Sequence, residues 1–253
     1  MQVLSSIDEM QSLAKELRKQ GKTIGLVPTM GFLHEGHLSL VELVRNRTDV
    51  VILSIFVNST QFGIGEDLEK YPRDLTRDLD LCKDRQVDFV FAPEESQIYP
   101  SEYSTFVSEG KVGKGLCGLA RPTHFQGVTT ICTKLFNLCM PDFVVLGQKD
   151  AQQVVVLKKM IADLNFPIEV IVGPIIRDPD GLAMSSRNEY LQPRQREGAL
   201  ALFKSMQAGK QLVDEKEVTN VERVKSEMIS ILMQSSVLRV NYVEIVDRAT
   251  MEV

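Results

Sequence analysis

Apolar positions along the chain come in two rhythms. Five short runs, "TIGLV" at 23–27, "VVILSIFV" at 50–57, "VDFVFA" at 87–92, "FVVLG" at 143–147 and "IEVIV" at 168–172, are β-branched and apolar almost throughout. That is the pattern of strands covered on both faces. Between them, over 37–45, 75–85, 128–139 and 154–164, apolar residues recur at helical spacing. An earlier helix is expected from Ile7, Met10, Leu13, Ala14 and Leu17, with Ser6 and Glu9 in capping-box spacing and Gly21 as its stop. Strand and helix alternate, so the expected fold is α/β: a doubly wound, Rossmann-like parallel sheet that binds ligands beyond the carboxyl ends of its strands.

The rhythm changes after residue 176. Two amphipathic helices are expected over 194–213 and 219–233, the second opened by Thr219 and Glu222 in capping-box spacing, with "VNYVEIV" (240–246) as a following strand. The chain therefore reads as a sheet domain over 1–176 and a smaller α+β C-terminal domain over 177–253, placed to act as a lid.

Composition narrows the class. Of 253 residues, 43% are hydrophobic and 25% charged, the usage of an ordinary globular chain. A formal charge of −5 speaks against a nucleic-acid surface, so any phosphate site must be local. No apolar run approaches the ~18 residues of a membrane span, and the first residues are amphipathic and charged, unlike a secretory leader. Cys82, Cys117, Cys132 and Cys139 form no C-x-x-C pair and read as reduced thiols packed like small hydrophobes. A cytoplasmic protein with neither nucleic-acid nor membrane partner is expected.

Two nucleotide motifs fail on context. Gly21-Lys22-Thr23 has the tail of a P-loop, but Glu16 stands where its first glycine belongs, and the triplet precedes a strand. Gly113, Gly115 and Gly118 satisfy G-x-G-x-x-G, yet Pro122 interrupts any helix that would present its N-terminus to a pyrophosphate. The histidines are more informative. Of only three, two stand at His34 and His37 in "PTMGFLHEGHLSL", between a strand and a helix, and no recognisable ligand spacing completes a zinc site there. Imidazole donors and free backbone N–H groups at that edge can bind the phosphates of ATP without a P-loop. Taken alone, the pair also fits two surface histidines that merely cap a helix.

Downstream, "SIFVNSTQFGIGEDLEKYPR" (54–73), "RPTHFQGVTTICTKLFNLCMPD" (121–142), "LGQKDAQQ" (146–153) and "RDPDGLAMSSRNEYL" (177–191) follow the His34-Glu35-Gly36-His37 motif. Their order resembles the pantothenate synthetase (pantoate–β-alanine ligase) family of the HxGH nucleotidyltransferase superfamily. The resemblance implies ATP-dependent condensation of pantoate with β-alanine, releasing AMP and pyrophosphate through a non-covalently bound pantoyl adenylate, with Mg²⁺ accompanying ATP and a homodimeric assembly. It implies phosphate contacts from His34, His37, Lys149, Ser185, Ser186 and Arg187, of which His34, His37, Lys149 and Arg187 are the catalytic candidates. Gly147, Asp150 and Met184 fall to the nucleotide, Asn58, Gln61, His124 and Gln153 to the substrate side, and Met30 to both. Asp78 is the candidate for magnesium.

The physics of these residue types agrees with such a reaction. A carboxylate attacking an α-phosphate meets an anionic electrophile, so charge neutralisation and in-line positioning matter more than proton transfer. Lys149 offers a point charge and Arg187 a planar fork, while the neutral amides Gln61 and Gln153 suit a hydroxy acid. Three departures from the family pattern stand out: Asn58-Ser59-Thr60-Gln61 lacks a proline, Thr123 replaces a glycine, and Gln148 replaces a glutamate.

Overall fold

Each of the five apolar runs forms a strand in the computed structural model, which describes residues 1–253. In chain order the elements of the first half are β1 (Gln2–Leu4), α1 (Ile7–Lys19), β2 (Ile24–Thr29), α2 (Glu35–Arg45), β3 (Val50–Ile55), α3 (Leu75–Asp84), β4 (Phe89–Phe91) and α4 (Glu95–Ile98). Then come α5 (Cys117–Ala120), α6 (His124–Cys139), β5 (Phe143–Gly147), α7 (Ala151–Asp163), β6 (Glu169–Gly173), α8 (Pro193–Asp214) and α9 (Val221–Met233). The chain divides into two compact units, Met1–Ile175 and Ile176–Val253.

All six strands belong to one parallel sheet of order β1-β4-β3-β2-β5-β6. From β2 the chain proceeds outward through β3 and β4, then crosses back to lay β5 on the opposite side of β2. The β2–β5 junction, in register at Gly25 with Phe143 and Leu26 with Val144, is thus the topological switch point, where open α/β sheets bind their ligands.

Alternation along the strands sends one set of side chains to each face. Ile24, Leu26, Ile52, Val144 and Leu146 pack with α1, α6 and α7, while Val27, Val51, Leu53, Val90 and Val145 pack with α2 and its neighbours. Both faces are covered, which is why the strands carry no polar alternation. Met10, Ile24, Leu26, Ile52 and Phe91 are fully buried, each contributing roughly 1.5–3 kcal/mol relative to exposure. Cys82, Cys132 and Cys139 are buried in the same cores, and desolvation pushes each thiol up to about 12, so they behave as packing groups.

Several local expectations are corrected. β1 has no counterpart among the expected strands; its three residues are too few to carry a period, and pairing with β4 at Gln2↔Phe89, Val3↔Val90 and Leu4↔Phe91 is what makes it a strand. Ser6 does hold the N-cap of α1, but its hydroxyl makes no capping bond. The cap of α9 is Asn220, whose side chain accepts from the Arg223 N–H at 2.9 Å, and not Thr219. Residues 240–246 form no strand. A strand needs a partner backbone, and the second unit contains only the isolated antiparallel bridge Arg177↔Ala183; Glu244 instead accepts from Lys225 Nζ of α9 at 2.7 Å.

Candidate active site

The loop that follows β2 is built to hold two imidazoles. Thr29 closes the strand, donating its hydroxyl to the Ser54 carbonyl (2.7 Å) and accepting from the Gly31 N–H (3.2 Å). Gly31 has φ +78°, and a Cβ there would lie 2.9 Å from Ile55 and 3.0 Å from Asp78, so both conformation and space require glycine. Asp78 of α3 accepts from the N–H groups of Phe32 and Leu33, each at 2.7 Å. Burial holds its carboxyl above the usual range against the opposing pull of those donors. This carboxylate, expected as a magnesium ligand, is 1% exposed and has both oxygens engaged. The structure gives it the work of shaping the histidine loop.

His34 is the N-cap of α2, its Nδ1 accepting from the Gly36 N–H at 3.1 Å, and His37 Nδ1 accepts from the His34 N–H at 3.4 Å. The rings lie 4.0 Å apart, centroid to centroid. Because each Nδ1 acts as an acceptor, the neutral rings carry their proton on Nε2. Two imidazole N–H donors therefore stand at the N-terminus of an eleven-residue helix, whose dipole already favours an anion. Burial lowers the His37 pKa to about 3, with the nearby His34 and Lys149 pressing the same way. His37 is thus a neutral donor at any working pH, and Lys149 is its neighbour in space.

That shift has a thermodynamic consequence. The unfolded imidazole takes up a proton below about 6.5, the folded one only near 3. The unfolded state then binds more protons across this window, and stability is lost as pH falls through it. His124, also lowered chiefly by burial, contributes with the same sign. The melting temperature should decline between about pH 7 and pH 5, and His37→Asn should flatten the decline. An equally steep decline in that variant would assign it to other groups.

On the other side of the switch point, β5 ends at Gly147 and one 3₁₀ turn, Gln148–Asp150, leads into α7. Lys149 Nζ lies 3.4 Å from the Asp150 carboxylate, both side chains being substantially exposed. Gln153 is half-buried on the first turn of α7. Its neighbour Gln152, which sequence reasoning passed over, is the buried one. Its Nε2 donates to the carbonyls of Val112 and Gly115, both at 2.9 Å, and its Oε1 accepts from the Cys117 N–H at 3.1 Å. The glycine-rich loop is thereby fastened to α7, and the helix that follows it, α5, is four residues long.

The third group gathers around Gln61, in a 3₁₀ turn after β3. Its Nε2 donates to Met30 Sδ at 3.0 Å, bringing together two residues expected to share the substrate pocket. Its carbonyl faces His124 Nδ1 at 3.0 Å; since a carbonyl only accepts, that nitrogen carries the proton. Arg121 Nη2 reaches the same carbonyl at 3.4 Å while its guanidinium forks onto Glu66, with Nε at 2.7 Å and Nη2 at 2.5 Å. Asn58 is 1% exposed and donates to the Gln61 side chain and the Gly127 carbonyl, a supporting position. Ser59, in place of the family's proline, donates its hydroxyl to Glu95. A cavity of about 290 Å³ opens beside this group, with Met30, Phe56 and Asp78 in its lining.

The remaining expected residues lie in the second unit. Ser185 caps a 3₁₀ turn over Ser186–Tyr190, its side chain accepting from the Arg187 N–H at 3.3 Å, and Ser186 is 5% exposed. Met184 donates its N–H to the Ile176 carbonyl at 3.0 Å, beside the Arg177–Ala183 bridge. The turn is braced by Arg177 over the Phe203 ring at 4.0 Å and by Arg196 on Asp178 and Asp180, both at 2.8 Å.

The supporting roles of Asp78, Gln152, Arg121 and Glu66 had no signature in spacing, because their partners lie 35 to 60 residues away. A buried amide inside "AQQ" was the one available hint, as such a group must find partners.

Comparison with known proteins shows the family. A sequence model described as pantoate-beta-alanine ligase matches residues 2–253. Pantothenate synthetases of Thermotoga petrophila and Thermotoga neapolitana are 50% and 51% identical to the chain over 252 residues, covering 100% of it and 90% of each relative. A crystal structure of pantothenate synthetase from Thermus thermophilus matches with a TM-score of 0.93 at 38% identity, covering 99% of this chain and 89% of that one. Pantoate-beta-alanine ligase from Francisella tularensis, complexed with beta-gamma ATP and beta-alanine, matches with a TM-score of 0.80 at 35% identity, over 91% and 86% of the two chains.

Proposed function

The chain belongs to the pantoate-beta-alanine ligase family, and from that premise we propose that its clustered residues join pantoate to β-alanine through a non-covalently held pantoyl adenylate. In the first step a pantoate carboxylate oxygen attacks the α-phosphorus of ATP and pyrophosphate leaves. In the second the β-alanine amine attacks the acyl carbon, loses a proton, and AMP leaves with the bonding pair. Neither step needs a covalent enzyme intermediate.

The observation that carries this reading is the pair of Nε2–H donors of His34 and His37 at the start of α2, with Lys149 beside them. Fixed donors and a point charge stabilise negative charge that spreads over the phosphates as the bond to the leaving pyrophosphate lengthens. Neutral imidazoles suit this role, because they donate hydrogen bonds without pairing permanently with the nucleotide. Gly147 and Asp150, at the carboxyl end of β5, take the ribose and adenine side, and Met184 keeps the nucleotide role that the resemblance assigns it. Ser185, Ser186 and Arg187 keep the phosphate contacts that the resemblance assigns them. Gln61 and Gln153 hold pantoate, with Met30 against its apolar face.

Magnesium enters with ATP as part of the substrate complex, held mainly by phosphate oxygens and water. The Asp78 oxygens are engaged elsewhere, so no protein ligand is assigned to it. A homodimer, a cytoplasmic location and a lid role for the second unit complete the proposal.

With ATP, Mg²⁺ and pantoate but no β-alanine, labelled pyrophosphate should exchange into ATP, because the adenylate forms reversibly before the amine is needed. Absence of exchange, with product formed once β-alanine is added, would rule out the adenylate.

A further inference from the structure

Gln61 is held at almost every polar atom, and the direction in which its amide points follows from one main-chain carbonyl. Asn58 Nδ2 lies 3.1 Å from the Gly127 carbonyl. A carbonyl oxygen can only accept, so this face of the Asn58 amide must be the amino group. Its Oδ1 therefore faces the other way, where it accepts from the Tyr99 hydroxyl at 2.7 Å and the Thr60 hydroxyl at 3.0 Å. The same Asn58 amino group meets the Gln61 side chain at 3.1 Å, which must present Oε1 to it. Only Nε2 of Gln61 is left to point toward Met30 and the space beyond.

We infer that Tyr99 is a positioning residue for the acid substrate, acting through Asn58 to lock the Gln61 amide with its N–H donors toward pantoate. The inference rests on the assignment of Gln61 to pantoate proposed above. It adds a specificity rule: the atom meeting Gln61 must be an acceptor, which a carboxylate or hydroxyl oxygen satisfies. An ammonium group, which only donates, is refused there.

The tyrosine is suited to the task. Its ring is anchored by Phe56 at 6.2 Å and Tyr103 at 5.0 Å, with Lys134 Nζ 5.6 Å from its centroid. Burial pushes its phenol up to about 12, so the hydroxyl stays protonated and donates throughout the working range. Gln61 cannot escape by shifting its backbone, because its carbonyl is held by His124 and the Gly127 Cα is packed against its main chain.

The test is a double-mutant cycle on pantoate KM. Tyr99→Phe, which keeps the ring and removes one donor, should raise pantoate KM about 5-fold, the usual effect of one hydrogen bond to a buried acceptor. ATP KM and kcat should stay within about 2-fold of the parent, a split that general loosening of the fold would not produce. In a Gln61→Ala background the same substitution should have no effect on pantoate KM, because the group it orients is gone. An equal penalty in both backgrounds overturns the relay. A raised KM in Gln61→Ala with none in Tyr99→Phe overturns the relay alone. An unchanged KM in Gln61→Ala overturns both the relay and the placement of Gln61 at pantoate. If Tyr99→Phe does not fold, Thr60→Val removes the other donor to the same Asn58 oxygen, and the same outcomes decide.

Discussion

Lys149→Ala and His34→Ala each lower pantoate-dependent pyrophosphate exchange by about 10²-fold or more, the usual loss when a fixed contact to transition-state charge is removed, while both proteins remain folded. The stability side follows from exposure. Lys149 is substantially exposed and its ion partner is its own neighbour Asp150, so its removal costs little in water. His34 contributes an N-cap, and losing one costs about 1 kcal/mol. The catalytic side follows from the proposed chemistry, in which both groups meet an oxyanion whose charge grows only as the reaction proceeds. A third variant separates the two functions of the histidine. His34→Asn keeps a good N-cap but has no donor at the Nε2 position, so stability should return and exchange should not. Parent-like exchange in His34→Asn and Lys149→Ala together would place the phosphates elsewhere.

Gly127→Ala should be among the most damaging single-methyl changes in the chain, although alanine is favoured over glycine in a helix by about 1 kcal/mol. A Cβ at this position of α6 would lie 2.5 Å from the Gln61 nitrogen and 2.6 Å from both the Gln61 Cα and the Thr60 carbonyl carbon. All three are backbone atoms, so no rotamer change can relieve the clash, and the helix and the turn after β3 must separate. Overpacking of this kind costs about 1–3 kcal/mol, which lowers the melting temperature of a domain this size by roughly 3–10 °C. Gln61 moves with its backbone, and a displacement near 1 Å in a positioning group lowers kcat/KM by about 10²-fold. A variant that melts at or above the parent with an unchanged pantoate KM would contradict this account.

Much of the sheet was legible because its strands are covered on both faces. Runs such as 50–57 carry no polar alternation, and helical spacing between them left only a doubly wound arrangement. The same logic failed where an element depends on a partner. Gln2–Leu4 is a strand only because β4 lies beside it, and 240–246, with comparable β-branched content, has no partner and stays irregular. Capping was legible as a pattern but not to the residue: Ser6 has the spacing without the bond, and Asn220 makes the bond one residue beyond the expected Thr219.

By itself the sequence determined what neighbours along the chain can settle: strand and helix periods, the histidine pair at a helix start, the ordered motifs and their charges. Only the tertiary structure decided that Asp78 shapes the histidine loop across 45 residues, that Tyr99 orients an amide through Asn58, and that Gln152 fastens a distant glycine loop. The reason is physical. A helical or strand period is written in residues a few positions apart, whereas a buried carboxylate or amide takes whichever donor or acceptor the packed fold brings to within about 3 Å, and nothing near it in the chain records which one that is.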